Sequence, residues 1–294
     1  MSRRLAGIGA LSLGSLLGCG AVAPPASQVP TAQAALDRLR ATGQCEVAIQ
    51  ASAKIDHFGA SGRVRGDLLM FAHVPAQMRM DVVSPFGATL LTLTSDGKRF
   101  SLADFKEKRF LEGPASACNI ARLTTVPVPP HVLVDLLRGQ APVLKHEPAA
   151  AALAWSPKGY YVLTFASTRD ATEELHLAPR AEDWAKPWSD QRMRLLDVEV
   201  RQGGSVLYHA ELESHATAPM AKERLDALGL APPLPPSGPF CDAEIPKRIH
   251  LEVPVPNDDV VFRYDDVTWN PPIPDGTFVQ AAPAGMPVEP VDCN

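Results

Sequence analysis

Residues 193–214 read MRLLDVEVRQGGSVLYHAELES, and their chemistry changes sign at almost every step. Leu196, Val198 and Val200 alternate with Asp197, Glu199 and Arg201; Val206, Tyr208, Ala210 and Leu212 then alternate with His209, Glu211 and Glu213. Successive strand side chains point to opposite faces, so this pattern predicts antiparallel strands with one covered and one wet face. The same period sets Val47, Ile49, Ala51, Ala53 and Ile55 on one face of a first strand, and Val64, Gly66, Leu68 and Met70 on one face of a second. It continues in Met78, Met80 and Val82 and in Thr89, Leu91 and Leu93. Further strands are predicted over 99–102, 106–111, 160–166, 173–177, 249–253 and 267–269. About 10 or 11 strands with few helices make the chain mainly β, and an open sheet that wide is expected to curve strongly.

Helical spacing interrupts the strands in three places. Residues 31–41 place Ala35, Leu36 and Leu39 on one side; 116–123 and 129–138 follow the meander. In PPHVLVDLLRGQAP the proline pair opens a helix, Val132, Leu133, Leu136 and Leu137 form its apolar side, and Gly139 closes it. That side needs a hydrophobic partner, and the concave face of the sheet offers one.

The chain begins MSRRLAGIGALSLGSLLGCG, a basic start and a thirteen-residue apolar run from Leu5 to Leu17. A spanning helix needs roughly 20 residues, so residues 1–18 are predicted to be an export signal. Leu16-Leu17-Gly18-Cys19 resembles the bacterial lipobox, which implies cleavage before Cys19 and acylation of its thiol and new amino group. Several acyl chains hold a protein stably where one would not. The resemblance, with Gly20 in place of aspartate after the cysteine, implies an outer-membrane anchor facing the periplasm. Residues 19–31 are expected to be a lipidated, flexible tether, and residues 32–294 a single domain.

Loss of Arg3 and Arg4 takes the formal charge from −5 to −7, and no basic patch invites nucleic acid. An oxidising compartment favours disulfides among Cys45, Cys118, Cys241 and Cys293. Three pairings are open; the expectation adopted is Cys45 with Cys118 and Cys241 with Cys293. The eight histidines show no local metal-ligand spacing, and no CxxC supports redox chemistry or zinc. No nucleophile elbow, P-loop or dinucleotide fingerprint occurs, so neither enzymatic chemistry nor a cofactor or metal is expected. Asp258-Asp259 and Asp265-Asp266 read as a solvated rim, and the proline-rich stretch at about 216–240 as a rigid surface insertion.

The run RMDVVSPFGATLLTLTSDGKRFSLADFKEKRFLEGP, continuing to VPVPPHVLVDLLRGQAPV, resembles the LolA/LolB family of lipoprotein carriers and outer-membrane receptors. The tail WNPPIPDGTFVQAAPAG is similar to the ending of such domains. The resemblance implies an unclosed half-barrel with a helical lid over an apolar cavity for acyl chains. Cavity-lining candidates are Val47, Ile49, Val64, Leu68, Met78, Met80, Leu91, Leu93, Leu133, Leu136, Leu137 and Leu163. The family's protruding hairpin residue falls on Phe86, which is therefore expected to enter a membrane. The implied partners are acyl chains of lipoproteins or lipids, the outer membrane and a soluble LolA-like carrier. An alternative keeps the fold for envelope assembly, as a scaffold that binds protein partners. An empty concave face would favour the first reading and a filled one the second.

Overall fold

The computed structural model describes residues 21–59, 62–124, 126–225, 228, 232–255 and 257–292, without the side chain of Val64. The signal, Cys19 and Cys293 lie outside them. Helix α1 (Ala32–Gly43) opens on Thr31, whose hydroxyl accepts from the Ala34 amide at 3.1 Å. An antiparallel meander follows: β1 (Ala48–Gly59), β2 (Gly62–His73), β3 (Gln77–Val83), β4 (Thr89–Ser95), β5 (Arg99–Asp104) and β6 (Arg109–Pro114). Helices α2 (Ala117–Thr124) and α3 (Pro130–Leu137) lead to β7 (His146–Ser156), β8 (Tyr160–Ser167), β9 (Ala171–Pro179), β10 (Met193–Gln202) and β11 (Ser205–Thr217). The chain ends in β12 (Glu244–Val253), β13 (Asp258–Trp269) and β14 (Val288–Pro290).

All fourteen strands form one open sheet in the order β14-β6-β5-β4-β3-β2-β1-β13-β12-β11-β10-β9-β8-β7. Cross-strand register keeps the apolar positions on one face. Ala51, Met70, Met80, Leu93, Leu102 and Leu111 stand opposite one another on successive strands, as do Leu163, Leu175, Val198, Ala210, Leu251 and Val260. The helices cover this concave face: α1 packs against β7 and β10, α2 against β4 and β5, and α3 against β2 and β3.

Several expectations need correction. The strands exceed the predicted count because 146–156 is β7 rather than an alanine-rich connection and because the tail adds β14; β13 is longer than predicted, beginning at Asp258. Its acid pairs are strand residues whose neighbours Val260, Phe262 and Tyr264 face the core. A register shift between Leu195 and Asp197 makes Leu195, not Leu196, the residue of β10 buried together with Val198. Cys45 is bonded to Cys241, not to Cys118, across 196 residues of sequence. This joins the starts of β1 and β12, where buried Asn270 also accepts from the Val47 and Ala48 amides and donates to the Cys45 and Pro239 carbonyls.

Nor does 21–31 stand free. The Val22 amide donates to Pro157 O and its carbonyl accepts from Trp155 Nε1; Ser27 accepts from the Trp188 amide; the Val29 amide donates to the Tyr161 hydroxyl at 3.1 Å. At the other edge the C-terminal segment crosses the outer face, with Gln280 donating to Thr92 O and Ser101 O, and ends as β14 alongside β6.

Gly139 ends α3 as expected, with φ +76° and its amide donating to Leu136 O. A Cβ there would lie 2.6 Å from Pro246 Cδ, a ring that cannot swing aside. Gly139→Ala therefore combines a left-handed backbone with a clash and is expected to cost about 1–3 kcal/mol, read as a lower urea midpoint. Unchanged stability would mean that the end of α3 is not held against β12.

Candidate functional site: a hairpin tip and a lidded concave face

Strand directions sort the turns into two rims. The β1–β2, β3–β4, β5–β6, β8–β9, β10–β11 and β12–β13 turns share one rim, and the β7–β8 turn lies on the opposite one. Phe86 is on the first. Its turn is tied by the Ser84 amide to Ala88 O, the Gly87 amide to Ser84 O, and the Ala88 amide to Ser84 Oγ. Gly87, at φ +80°, permits that geometry. The ring does not fold back on the sheet: Phe86 is 96% exposed. It has apolar company on the same rim, since Phe58, Leu90, Phe105 and Val255 are exposed too, and the Arg63 guanidinium lies 4.4 Å from the Phe58 ring centroid. Beside the hairpin a groove of about 400 Å3 is bounded by Ile55, Val82, Pro85 and Leu90 together with Lys54, Arg65, Asp67 and Arg263.

Residues 22–29 lie against the β7–β8 turn, on the other rim. The docked segment that begins at Val22 and the exposed Phe86 ring therefore sit on opposite rims of the sheet.

Of the cavity-lining candidates, Ile49, Leu68, Met78, Met80, Leu93, Leu133, Leu136, Leu137 and Leu163 are 0–1% exposed and belong to one continuous core. Val47 and Leu91 are half-buried. A void wide enough for a water would leave accessible area on its walls, and these nine side chains show almost none. Side chains of the helices pack against these sheet residues on the concave face.

The carboxyl end of α3 is held by polar groups that periodicity did not reveal. The Tyr264 hydroxyl on β13 donates to Leu137 O at 2.7 Å; Gln140 Nε2 donates to Glu46; the Leu144 amide donates to Glu173 Oε2 at 2.7 Å; buried Arg138 lies 3.3 Å from Asp135. Burial pushes the Glu46 carboxyl up to about 8, against the opposing pull of Arg138, Gln140 and Arg180. Burial likewise pushes Glu173 up to about 8, against its bond from Leu144. The clasp is incomplete: Glu173 Oε1, the Tyr208 hydroxyl and Arg138 Nε are buried without partners among the described residues. Each such atom costs about 1–3 kcal/mol, so part of what α3 gains by packing is offset.

These acids make the hold pH-dependent. Exposed, they lose protons near 4.5; packed, near 8, so between those values the closed form binds more protons. Closure is strongest at low pH and weakens by about 1.4 kcal/mol per pH unit per group as pH rises toward 8. Urea midpoints between pH 6.5 and 8 should fall less steeply in Glu46→Gln and in Glu173→Gln than in the parent. Identical slopes would show that neither acid is protonated in the packed form.

No family model and no curated protein matches this sequence. Solved structures do. A LolA superfamily protein from Nitrosomonas europaea aligns over 85% of this chain and 98% of its own at 13% identity, with a TM-score of 0.51. A DUF1329 family protein from Desulfovibrio piger aligns over 84% and 96% at 8% identity and 0.49. A domain assigned to outer-membrane lipoprotein sorting, from Vibrio parahaemolyticus, aligns over 84% and 97% at 10% identity and 0.44. The first of these carries the conclusion on architecture: the chain has the LolA-like fold, an open, curved antiparallel sheet with helices on its concave face.

Proposed function

We propose that this protein is a non-enzymatic lipid-handling lipoprotein, acylated at Cys19, held on the outer membrane facing the periplasm, and able to take an acyl chain beneath α2 and α3. The observation that carries the proposal is the lid itself. Val132, Leu133, Val134, Leu136 and Leu137 of α3 are buried in the core, yet the helix end is fastened by a short polar clasp with unpaired atoms. An acyl chain can replace those side chains one methylene for another, at about 0.8 kcal/mol each, so exchange is close to balanced and loading stays reversible. Tyr264, Glu46 and Glu173 Oε2 bond the end of α3 and the residues just after it, so the reading keeps to binding rather than catalysis. A soluble LolA-like carrier is the delivering partner in this scheme.

Phe86 is the membrane-entering residue of the proposal; moving its ring from water into lipid is worth about 1.5–3 kcal/mol. Liposome transfer of an acylated cargo by the full-length protein should fall several-fold in Phe86→Glu while bound lipid, counted by native mass spectrometry, is retained. Transfer unaffected by the charge would remove the wedge from the scheme, and absence of co-purified acyl lipid would remove the carrier.

The opposite rims impose a condition. With 22–29 docked, Phe86 points away from the anchoring membrane; released, residues 19–31 reach about 45 Å and let the hairpin return to it. Ser27→Ala combined with Trp155→Phe removes two bonds of that segment and keeps both a small residue and a ring. Transfer should rise several-fold in this variant. No change would mean that the rim works on another surface while 22–29 stays docked.

The packed interior favours a second reading, a scaffold lipoprotein whose fold presents surfaces to protein partners. A lipid-free protein with intact structure would select it.

A further inference from the structure

On the convex face, away from the lid, β10 to β13 bring together six groups that sequence spacing keeps apart. Asp197 stands directly opposite Glu211 between β10 and β11, and Glu252 opposite Asp259 between β12 and β13. Like charges facing across a ladder destabilise a sheet unless something positive lies between them. The described ion pairs of these four carboxylates are with histidines alone, with no lysine or arginine among them. His209 Nε2 is 2.7 Å from Asp197 Oδ2, and His250 Nε2 is 2.8 Å from Asp259 Oδ1 and 3.6 Å from Glu252 Oε1. The other ring nitrogens cross over: His209 Nδ1 lies 3.5 Å from Glu252 and His250 Nδ1 3.3 Å from Glu211.

We propose that this patch is a pair of adjacent zinc sites, one formed by Asp197, His209 and Glu211 and the other by His250, Glu252 and Asp259. In each group one ligand atom per residue lies within 4.8 Å of the others, and the residues are only partly buried, so small carboxylate rotations bring them to the roughly 2 Å bonds of Zn2+. An imidazole with two carboxylates suits Zn2+ better than the all-oxygen preference of Ca2+ or Mg2+. The charges close once zinc displaces the proton that the Asp197 contact holds on His209: two divalent ions then neutralise four carboxylates beside two neutral imidazoles. The geometry also supplies the outer shell. With Nε2 on its own ion, each ring's Nδ1–H donates to a carboxylate of the other group, fixing tautomer and orientation reciprocally. A fourth position on each ion is left to water. The sites lie outside the concave face and fasten four neighbouring strands.

The test is zinc titration of the chelator-treated full-length protein, with bound metal counted by mass spectrometry after dialysis. Two ions per chain are expected. His209→Ala should abolish one and weaken the other about ten-fold or more, because it removes a ligand of the first site and an outer-shell donor to the second; His250→Ala should do the converse. Asp197→Asn and Glu252→Gln, which preserve side-chain size, should each remove one ion, and His131→Ala, on the exposed side of α3, should remove none. Absence of binding up to millimolar zinc, a stoichiometry other than two, or variants that bind like the parent would overturn the proposal.

Discussion

A sheet curled this far but left unclosed presents one continuous apolar face with no second sheet to bury it. That constraint organises the molecule. The inward rows from Leu111 to Ala51 and from Leu163 to Val260 need cover, and three short helices supply it. None of those helices could stand alone in water at eight to twelve residues. Their stability comes from the face they fill, so whatever displaces them must replace the same apolar contact. Edges are the second consequence. β6 is covered by β14, a close approach that depends on Gly113, where a Cβ would lie 2.0 Å from Val291 O.

Fastening is divided between the rims. The rim away from Phe86 carries the Cys45–Cys241 bond, the Asn270 bonds and the docked segment 22–29. A cross-link over so long a loop is worth about 2–5 kcal/mol through the unfolded chain. The Phe86 rim carries short turns and exposed apolar side chains. Between them the end of α3 is held by Tyr264, Glu46 and Glu173, two of them acids that burial keeps protonated near neutrality. The architecture therefore combines a cross-linked rim, a rim of exposed apolar side chains, and a helix end held between strands by a few polar contacts.

What could be read from the sequence follows from locality. Period two located most of β1 to β5 and β8 to β11, and helical spacing located α1, α2 and α3, because those patterns repeat within a few residues. The outward place of Phe86 was implied by the family resemblance rather than by its turn alone. β7 was hidden because five of the eleven residues of His146–Ser156 are alanine, which has neither strand propensity nor polar contrast. The start of β13 was hidden because its aspartates interrupt the apolar run, and 21–31 read as a tether because its partners Trp155, Pro157, Tyr161 and Trp188 lie more than 120 residues away in the chain. Cys45 with Cys241, the clasp on α3 and the His209–His250 patch are products of register between strands far apart in the chain. Local spacing shows of them only the two His-x-Glu pairs, His209 with Glu211 and His250 with Glu252.

In the proposed function α3 is a lid that yields to an acyl chain. Hydrogen exchange of the α3 amides, measured on the full-length protein with and without a saturating sixteen-carbon acyl probe, tests it most directly. The account predicts that the probe binds and that Leu133 to Gly139 exchange faster in its presence, while β1 and β13 stay protected. A probe that binds and leaves those amides as protected as before, or one that does not bind at all, would contradict it.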